Sequence, residues 1–206
     1  MDAGAPADRD SLAVVILAGG ESLRIGGGKP LRILSGETLL ARALAAARSR
    51  SDDVAVSVRS KDQLGNLPIP VLVDEPDVAG PVAGLAAALR HARGRSKAFL
   101  LTIPCDMPFL PADLVPRLAE VMGDDVAAAL ASSDGYLHPV CALWRSTTLD
   151  RLHDYLDSDA RSLRGFAEHV GFTAVAWPSV PIDPFFNINT REELGRAEAM
   201  LRGREE

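Results

Sequence analysis

The sequence predicts an α/β protein built as three αβα layers around a mostly parallel sheet. Short β-branched runs alternate with longer alanine- and leucine-rich segments along the whole chain. The strongest runs, Leu12-Ala13-Val14-Val15-Ile16-Leu17 and Phe99-Leu100-Leu101-Thr102-Ile103, are continuously apolar, which is the pattern of strands covered on both faces. Proline and glycine fall between these segments rather than within the strongest of them.

Taken in order, strands are expected near 12–17, 54–58, 70–73, 98–103, 126–131, 139–144 and 173–176. Helices are expected near 37–49, 82–93, 111–122, 146–156, 160–169 and 190–203. The strand around 139–144 is expected to run antiparallel, because Ser132-Ser133-Asp134-Gly135 before it can make a tight connection. The last helix has an explicit start, since Thr190 and Glu193 have the spacing of a capping box. Residues 1–10, polar and rich in Ala, Pro and Asp, are expected to form a flexible N-terminal extension, and 11–206 a single domain.

A chain of 206 residues with 47% hydrophobic and 24% charged residues can bury a full core. Its formal net charge of −6 argues against a nucleic-acid partner or an acidic membrane surface, yet a local cation cluster can still hold an anion. Cys105 and Cys141 lack metal or redox spacing and read as buried thiols. No long uncharged apolar run occurs, and Asp2, Asp8 and Asp10 stand where a signal segment would be basic, so a cytoplasmic protein is expected.

The most informative segment follows the first strand. Leu17-Ala18-Gly19-Gly20, then Arg24, then Gly26-Gly27-Gly28-Lys29 joins a glycine-rich turn and two cations to the end of a buried strand, where open α/β sheets place ligands. Backbone N–H groups freed by the glycines can point at phosphate oxygens, with Arg24 and Lys29 supplying charge. The ATPase phosphate loop would need a glycine at Leu23 and a hydroxyl at Pro30, and the G-x-G-x-x-G fingerprint is absent too. A phosphate loop of another kind is the reading; a glycine-rich turn with two solvated cations is the plain alternative.

The second buried strand runs into Pro104-Cys105-Asp106-Met107-Pro108. Asp106 is placed to meet a hard divalent ion such as Mg²⁺ together with phosphate oxygens, or else to cap the following turn. Asp74, at the end of another strand, can bind the hydroxyls or base of a nucleoside, while Gly80 and Gly84 let a ring approach backbone; an ordinary loop explains them nearly as well. Asn187 and Asn189 are two residues apart, so in an extended segment both point the same way, to ligate an ion and phosphate or to share a helix cap. His138 can touch a polar substrate, and Arg161 or Arg164 can meet a second anion or lie on a solvated helix face.

As an ordered set these residues resemble the molybdenum cofactor guanylyltransferase family, over about 12–200. The resemblance implies a nucleotidyltransferase fold and transfer of GMP from GTP to the terminal phosphate of molybdopterin, with Mg²⁺ as cofactor and pyrophosphate as product. It implies that Leu17, Ala18, Gly19 and Gly20 contact the nucleotide, Lys29 its phosphates, and Asp74, Gly80 and Gly84 the guanosine end. It further implies that Arg24 neutralises the leaving pyrophosphate, that Asp106 coordinates Mg²⁺, and that Asn187 and Asn189 complete the phosphate or metal surroundings. A molybdoenzyme client or an insertion chaperone is the expected recipient of the product, and the protein is expected to be a monomer or weak homo-oligomer.

Two positions depart from the family. Gly28 stands where relatives usually carry an aspartate before the lysine, and Ser57 where many carry an asparagine. These departures keep open a catalytically impaired nucleotide- or cofactor-binding protein. Two enzyme alternatives are the CTP-dependent cytidylyltransferase of the same cofactor and a sugar-phosphate nucleotidylyltransferase; Ala18-Gly19-Gly20 looks like the guanylyl type.

Overall fold

The central strand β1 (Leu12–Leu17) is flanked by β4 (Asp53–Val58) and β6 (Phe99–Pro104), both parallel to it. The structure is a computed structural model that describes residues 8–19, 28–75, 78, 80–158 and 161–203. With β5 (Val71–Val73), β7 (Ala128–Ser133), β8 (Tyr136–Arg145) and β9 (Phe172–Trp177), these form one sheet ordered β5-β4-β1-β6-β8-β7-β9. Only β8 runs against its neighbours, as the sequence predicts for that stretch. The β7–β8 hairpin turns through Asp134 (φ 49°) and Gly135 (φ 78°), the paired left-handed residues that a tight two-residue hairpin needs.

Alternate residues of β1 serve opposite layers. Val14 and Ile16 pack with Leu40, Ala43 and Ala47 of α1 (Leu39–Arg48) and with Leu114 and Leu118 of α3 (Leu114–Glu120). Ala13 and Val15 face Val82, Leu85, Ala86 and Leu89 of α2 (Val82–Gly94), a layer continued by Tyr155 of α4 (Leu152–Asp157) and Phe166 of α5 (Leu163–Val170). The period-two alternation of a strand buried on both sides therefore accounts for the unbroken apolar run. The last helix, α6 (Arg191–Arg202), adds a smaller cluster in which Ile188 and Ala197 meet Leu34, Leu39 and Phe109.

Chain order sets where a ligand can sit. From β1 the chain moves to β4 and β5, then crosses back through α2 to β6 on the other side of β1. The order reverses between β1 and β6, and a crevice opens beyond the carboxyl ends of strands at such a point.

Several boundaries differ from the sequence pattern. Glu37–Thr38 forms β3, paired with β2 (Ile33–Leu34), so α1 begins two residues later than expected, capped by Thr38. The helix expected from 111 starts at Leu114, placing Pro116 in the first turn, where a missing N–H costs nothing. The segment expected as one helix over 146–156 is a 3₁₀ stretch, Ser146–Arg151, followed by α4. There Thr148 donates from Oγ1 to the Arg145 carbonyl at 2.7 Å, a local bond that competes with α-helix. Arg9 reaches the carbonyls of Arg48 and Ser49 and the Asp52 carboxylate, so the start of the described chain is tied to the end of α1. Residues 1–7 lie outside the described residues. No described helix is long and apolar enough to cross a membrane.

Candidate active site

A cleft of about 830 Å³ opens at the crevice beyond β1 and β6. Its wall contains Leu17, Ala18 and Gly19 from the end of β1, Asp74 from beyond β5, Gly80 and Gly84 around the start of α2, and Asp106 from beyond β6. Lys29, Asn187 and Asn189 line it as well, so residues from Leu17 to Asn189 share one cavity. Gly20, Arg24, Gly26 and Gly27 lie outside the described residues.

Lys29 lies at the end of the cleft that holds Asp106. Gly28 takes the left-handed conformation (φ 63°, ψ 29°) and caps a 3₁₀ turn, Lys29–Leu31, that sends the Lys29 side chain inward. Its Nζ pairs with Asp106 Oδ2 and donates to Asn189 Oδ1 at 2.7 Å, with Asn187 Oδ1 at 3.5 Å. The Lys29 and Asp106 side chains are only 13% and 14% exposed, so each charge depends on the other for compensation. The second carboxylate oxygen, Asp106 Oδ1, is buried with no hydrogen-bond partner among the described residues.

The asparagine segment leads into the capped start of α6 and turns two amide oxygens into the cleft. Thr190 caps α6 and Glu193 returns the capping-box bond. The Glu193 carboxylate accepts from the backbone N–H of Thr190 at 2.8 Å and of Asn189 at 2.7 Å, leaving the Asn189 side chain to Lys29. Ile188 points the other way into the core, and its N–H donates to the Asp106 carbonyl at 3.0 Å. The period-two backbone thus delivers two amide oxygens to the same ammonium.

At the other end of the cleft Ser57 donates to Asp74 Oδ1. A Cβ placed on Gly84 would lie 3.1 Å from Ser57 Oγ, and one on Gly80 would meet the Arg161 carbonyl at 2.8 Å. Gly80 is therefore required by the backbone that crowds it and by its positive φ, and Gly84 packs closely against the cleft wall.

Some cleft features lie outside the residues expected from sequence. Gln63 bonds the Ala18 carbonyl at 2.9 Å and receives the Arg59 N–H at 3.2 Å, buttressing the start of the glycine loop from a separate turn. Arg59 lines the cleft, and its place just beyond β4 is the signal that could have found it. Ser162 and Arg164 line the far side, Arg164 also pairing with Glu168 at 2.9 Å. Arg161 bonds the Leu156 carbonyl at 2.9 Å. His138 is turned away from the expected substrate contact: Nε2 meets Ser133 Oγ at 2.8 Å and the ring stacks on Phe185 at 4.7 Å. Cys105 also lines the cleft; burial, aided by the Asp106 charge, pushes its thiol up to about 12, which leaves it inert as a nucleophile at neutral pH.

Residues 14–171 match the family described as the MobA-like NTP transferase domain. A molybdenum cofactor guanylyltransferase of Rhodobacter capsulatus is 41% identical over 193 residues, covering 93% of this chain and 97% of the relative. The chain belongs to the molybdenum cofactor guanylyltransferase family. Another member, from Bradyrhizobium sp. (strain ORS 278), is 37% identical over 193 residues, covering 90% of this chain and 91% of its own. Among solved structures, the molybdopterin-guanine dinucleotide biosynthesis protein A of Archaeoglobus fulgidus superposes with a TM-score of 0.74 at 25% identity, covering 93% of this chain and 99% of the other.

Gly28 and Ser57 are the positions expected from sequence to depart from the guanylyltransferase family. Gly28 adopts its left-handed backbone without the steric cost that a Cβ would bring. Ser57 is fully buried and spends its hydroxyl on a carboxylate of the same cleft.

Proposed function

We propose that the protein transfers GMP from GTP to the terminal phosphate of molybdopterin, forming the guanine dinucleotide cofactor and releasing pyrophosphate. The observation that carries this reading is the meeting of Lys29, Asp106, Asn187 and Asn189 beside the glycine-rich end of β1, in a chain of the guanylyltransferase family. Residues 11–206 act as one nucleotidyltransferase domain in this reading.

A terminal phosphate oxygen of molybdopterin attacks the α-phosphorus of GTP in line, and the bond from that phosphorus to the α,β-bridging oxygen breaks. No protein nucleophile is needed, so the work of the chain is alignment and charge neutralisation. Gly19, with Gly20, lets backbone approach the nucleotide, while Leu17 and Ala18 form the strand edge beneath it. Lys29 holds phosphate oxygens, and Arg24 balances charge on the departing pyrophosphate. Asp74, Gly80 and Gly84 receive the guanosine end.

The residues present fit Mg²⁺: the unpartnered Asp106 Oδ1 is a hard carboxylate donor, and the Asn187 and Asn189 amide oxygens gather close by. Among the described residues no group of three or more His, Cys, Asp or Glu could hold a metal, so a single carboxylate sharing the ion with phosphates and water is the arrangement these residues suit. Bound there, Mg²⁺ supplies charge neutralisation for the triphosphate. The protein works as a monomer or weak homo-oligomer in the cytoplasm and hands its product to a molybdoenzyme or an insertion chaperone.

The deciding experiment is pyrophosphate release with Mg²⁺ and molybdopterin, with GTP and CTP in parallel. Release selective for GTP, with the guanine dinucleotide as product, is the expected result. CTP selectivity would move the reaction to cytidylyl transfer, and binding without release would make the chain a carrier.

A further inference from the structure

Tyr155 of α4 is only 4% exposed, its ring packed against Phe166 at 5.3 Å and His169 at 5.6 Å. Its hydroxyl reaches the residue that starts α5: Oη donates to the Ser162 carbonyl at 2.9 Å and accepts from the Ser162 N–H at 3.3 Å. Gly165 leaves room for this contact, since a Cβ there would lie 2.5 Å from Tyr155 Oη and 2.9 Å from Ser162 Oγ. The Ser162 hydroxyl is occupied as well, because its Oγ accepts from the Gly165 N–H at 2.9 Å and so caps α5. Ser162, Leu163 and Arg164 line the cleft, whereas Tyr155 does not. A buried phenol behind the wall therefore fixes the wall on both sides of one peptide unit.

This wall faces the phosphate end from across the cleft. Lys29 stands in the turn before α1, on the sheet face that α1 and α3 cover, while α5 packs on the opposite face with α2. Pro139 and Val140 of β8 extend the same side of the cleft past β6, away from Asp74 beyond β5. In-line displacement at the α-phosphorus places the entering and leaving oxygens at opposite ends. Lys29 holds the departing phosphates in the guanylyl-transfer reading, so the acceptor enters from the α5 side.

We propose that Tyr155 is a positioning residue for the acceptor substrate: by clamping the Ser162 backbone it sets the wall against which molybdopterin lies, without touching the molecule itself. The inference rests on the guanylyl-transfer reading. It also explains why position 165, inside a helix, carries the residue least suited to one.

The test is binding of molybdopterin, by anaerobic equilibrium dialysis, and of GTP, by calorimetry, to the full chain and three variants. Tyr155→Phe keeps the ring and removes only the hydroxyl; it should weaken molybdopterin binding about tenfold, the scale of one hydrogen bond, with GTP affinity unchanged. Gly165→Ala should give the same split with the phenol intact, because the new Cβ displaces Oη while alanine's helix propensity keeps α5 formed. Thr148→Val removes a backbone bond in the 3₁₀ stretch before α4 and should lower Tm with neither affinity altered. Unchanged molybdopterin affinity in Tyr155→Phe and Gly165→Ala would overturn the inference, and equal weakening of both ligands, or the same split in Thr148→Val, would show a merely structural role. Guanylyl transfer would stand in each of these cases, since it is judged on pyrophosphate release by the wild type. Wild-type binding of GTP without binding of molybdopterin would overturn both.

Discussion

Lys29 and Asp106 form a pair whose members cannot be removed separately without leaving a poorly hydrated charge, because both side chains are largely buried. Asp106→Asn keeps the shape and removes the carboxylate charge that a hard cation needs, so Mg²⁺-dependent turnover should fall by roughly 100-fold, the scale of losing one charge-stabilising group. GTP affinity measured without metal should change little. Lys29→Ala should act the other way, weakening GTP binding by about tenfold through the lost charge-assisted contact as well as slowing turnover. Each change also strands the partner at a cost of about 1–3 kcal/mol, read from the denaturant midpoint. Wild-type turnover in both folded variants would remove these residues from the site.

At the scale of elements, the capping box links stability to the site. Glu193 accepts from the backbone of both Asn189 and Thr190, so it fixes the start of α6 and the segment that presents Asn187 and Asn189 to Lys29. Glu193→Ala frees those two N–H groups and should cost about 1 kcal/mol, or roughly 2–4 °C in Tm for a chain of this size. Because the loosened segment is the one that meets Lys29, nucleotide affinity should fall along with Tm. A Tm loss with unchanged GTP affinity would confine the box to helix stability.

For the whole molecule, acid sensitivity follows from His138, which joins the β7–β8 hairpin to the segment before α6 by its bond to Ser133 and its stack on Phe185. Burial pushes its pKa below the ordinary value of 6.5, and the opposing effect of Asp183 is smaller. The unfolded chain therefore takes up the proton more readily than the folded one, and stability rises with pH in that window. The His138 contribution is fully present above about pH 6.5 and is lost as pH falls through the lower folded-state value. Urea midpoints at acid and neutral pH should diverge less for His138→Gln than for wild type; an identical pH dependence would assign the effect to other groups.

The sequence by itself determined the layers, the order of the main strands and several residues of the cleft. Hydrophobic period and the glycine, lysine and aspartate signals are local, and strands that end in a cleft place cleft-lining residues just beyond their own carboxyl ends, as with Gly19, Asp74 and Asp106. The antiparallel β8 was legible for the same reason, from the turn residues Asp134 and Gly135. Only the tertiary structure decided which of these residues touch. The Lys29–Asp106 pair is brought together by the crossover through α2, whereas the Ser57–Asp74 bond and the Gln63 buttress under Ala18 form where β4 pairs with β5 and lies beside β1. The 3₁₀ start of 146–156 was hidden too, because a side-chain bond from Thr148 to the backbone outweighed a helical pattern that apolar spacing alone supports. Period and composition report what each residue prefers to face, whereas partner choice is a property of the packed sheet, where a buried hydroxyl or charge is stable only beside the group that satisfies it.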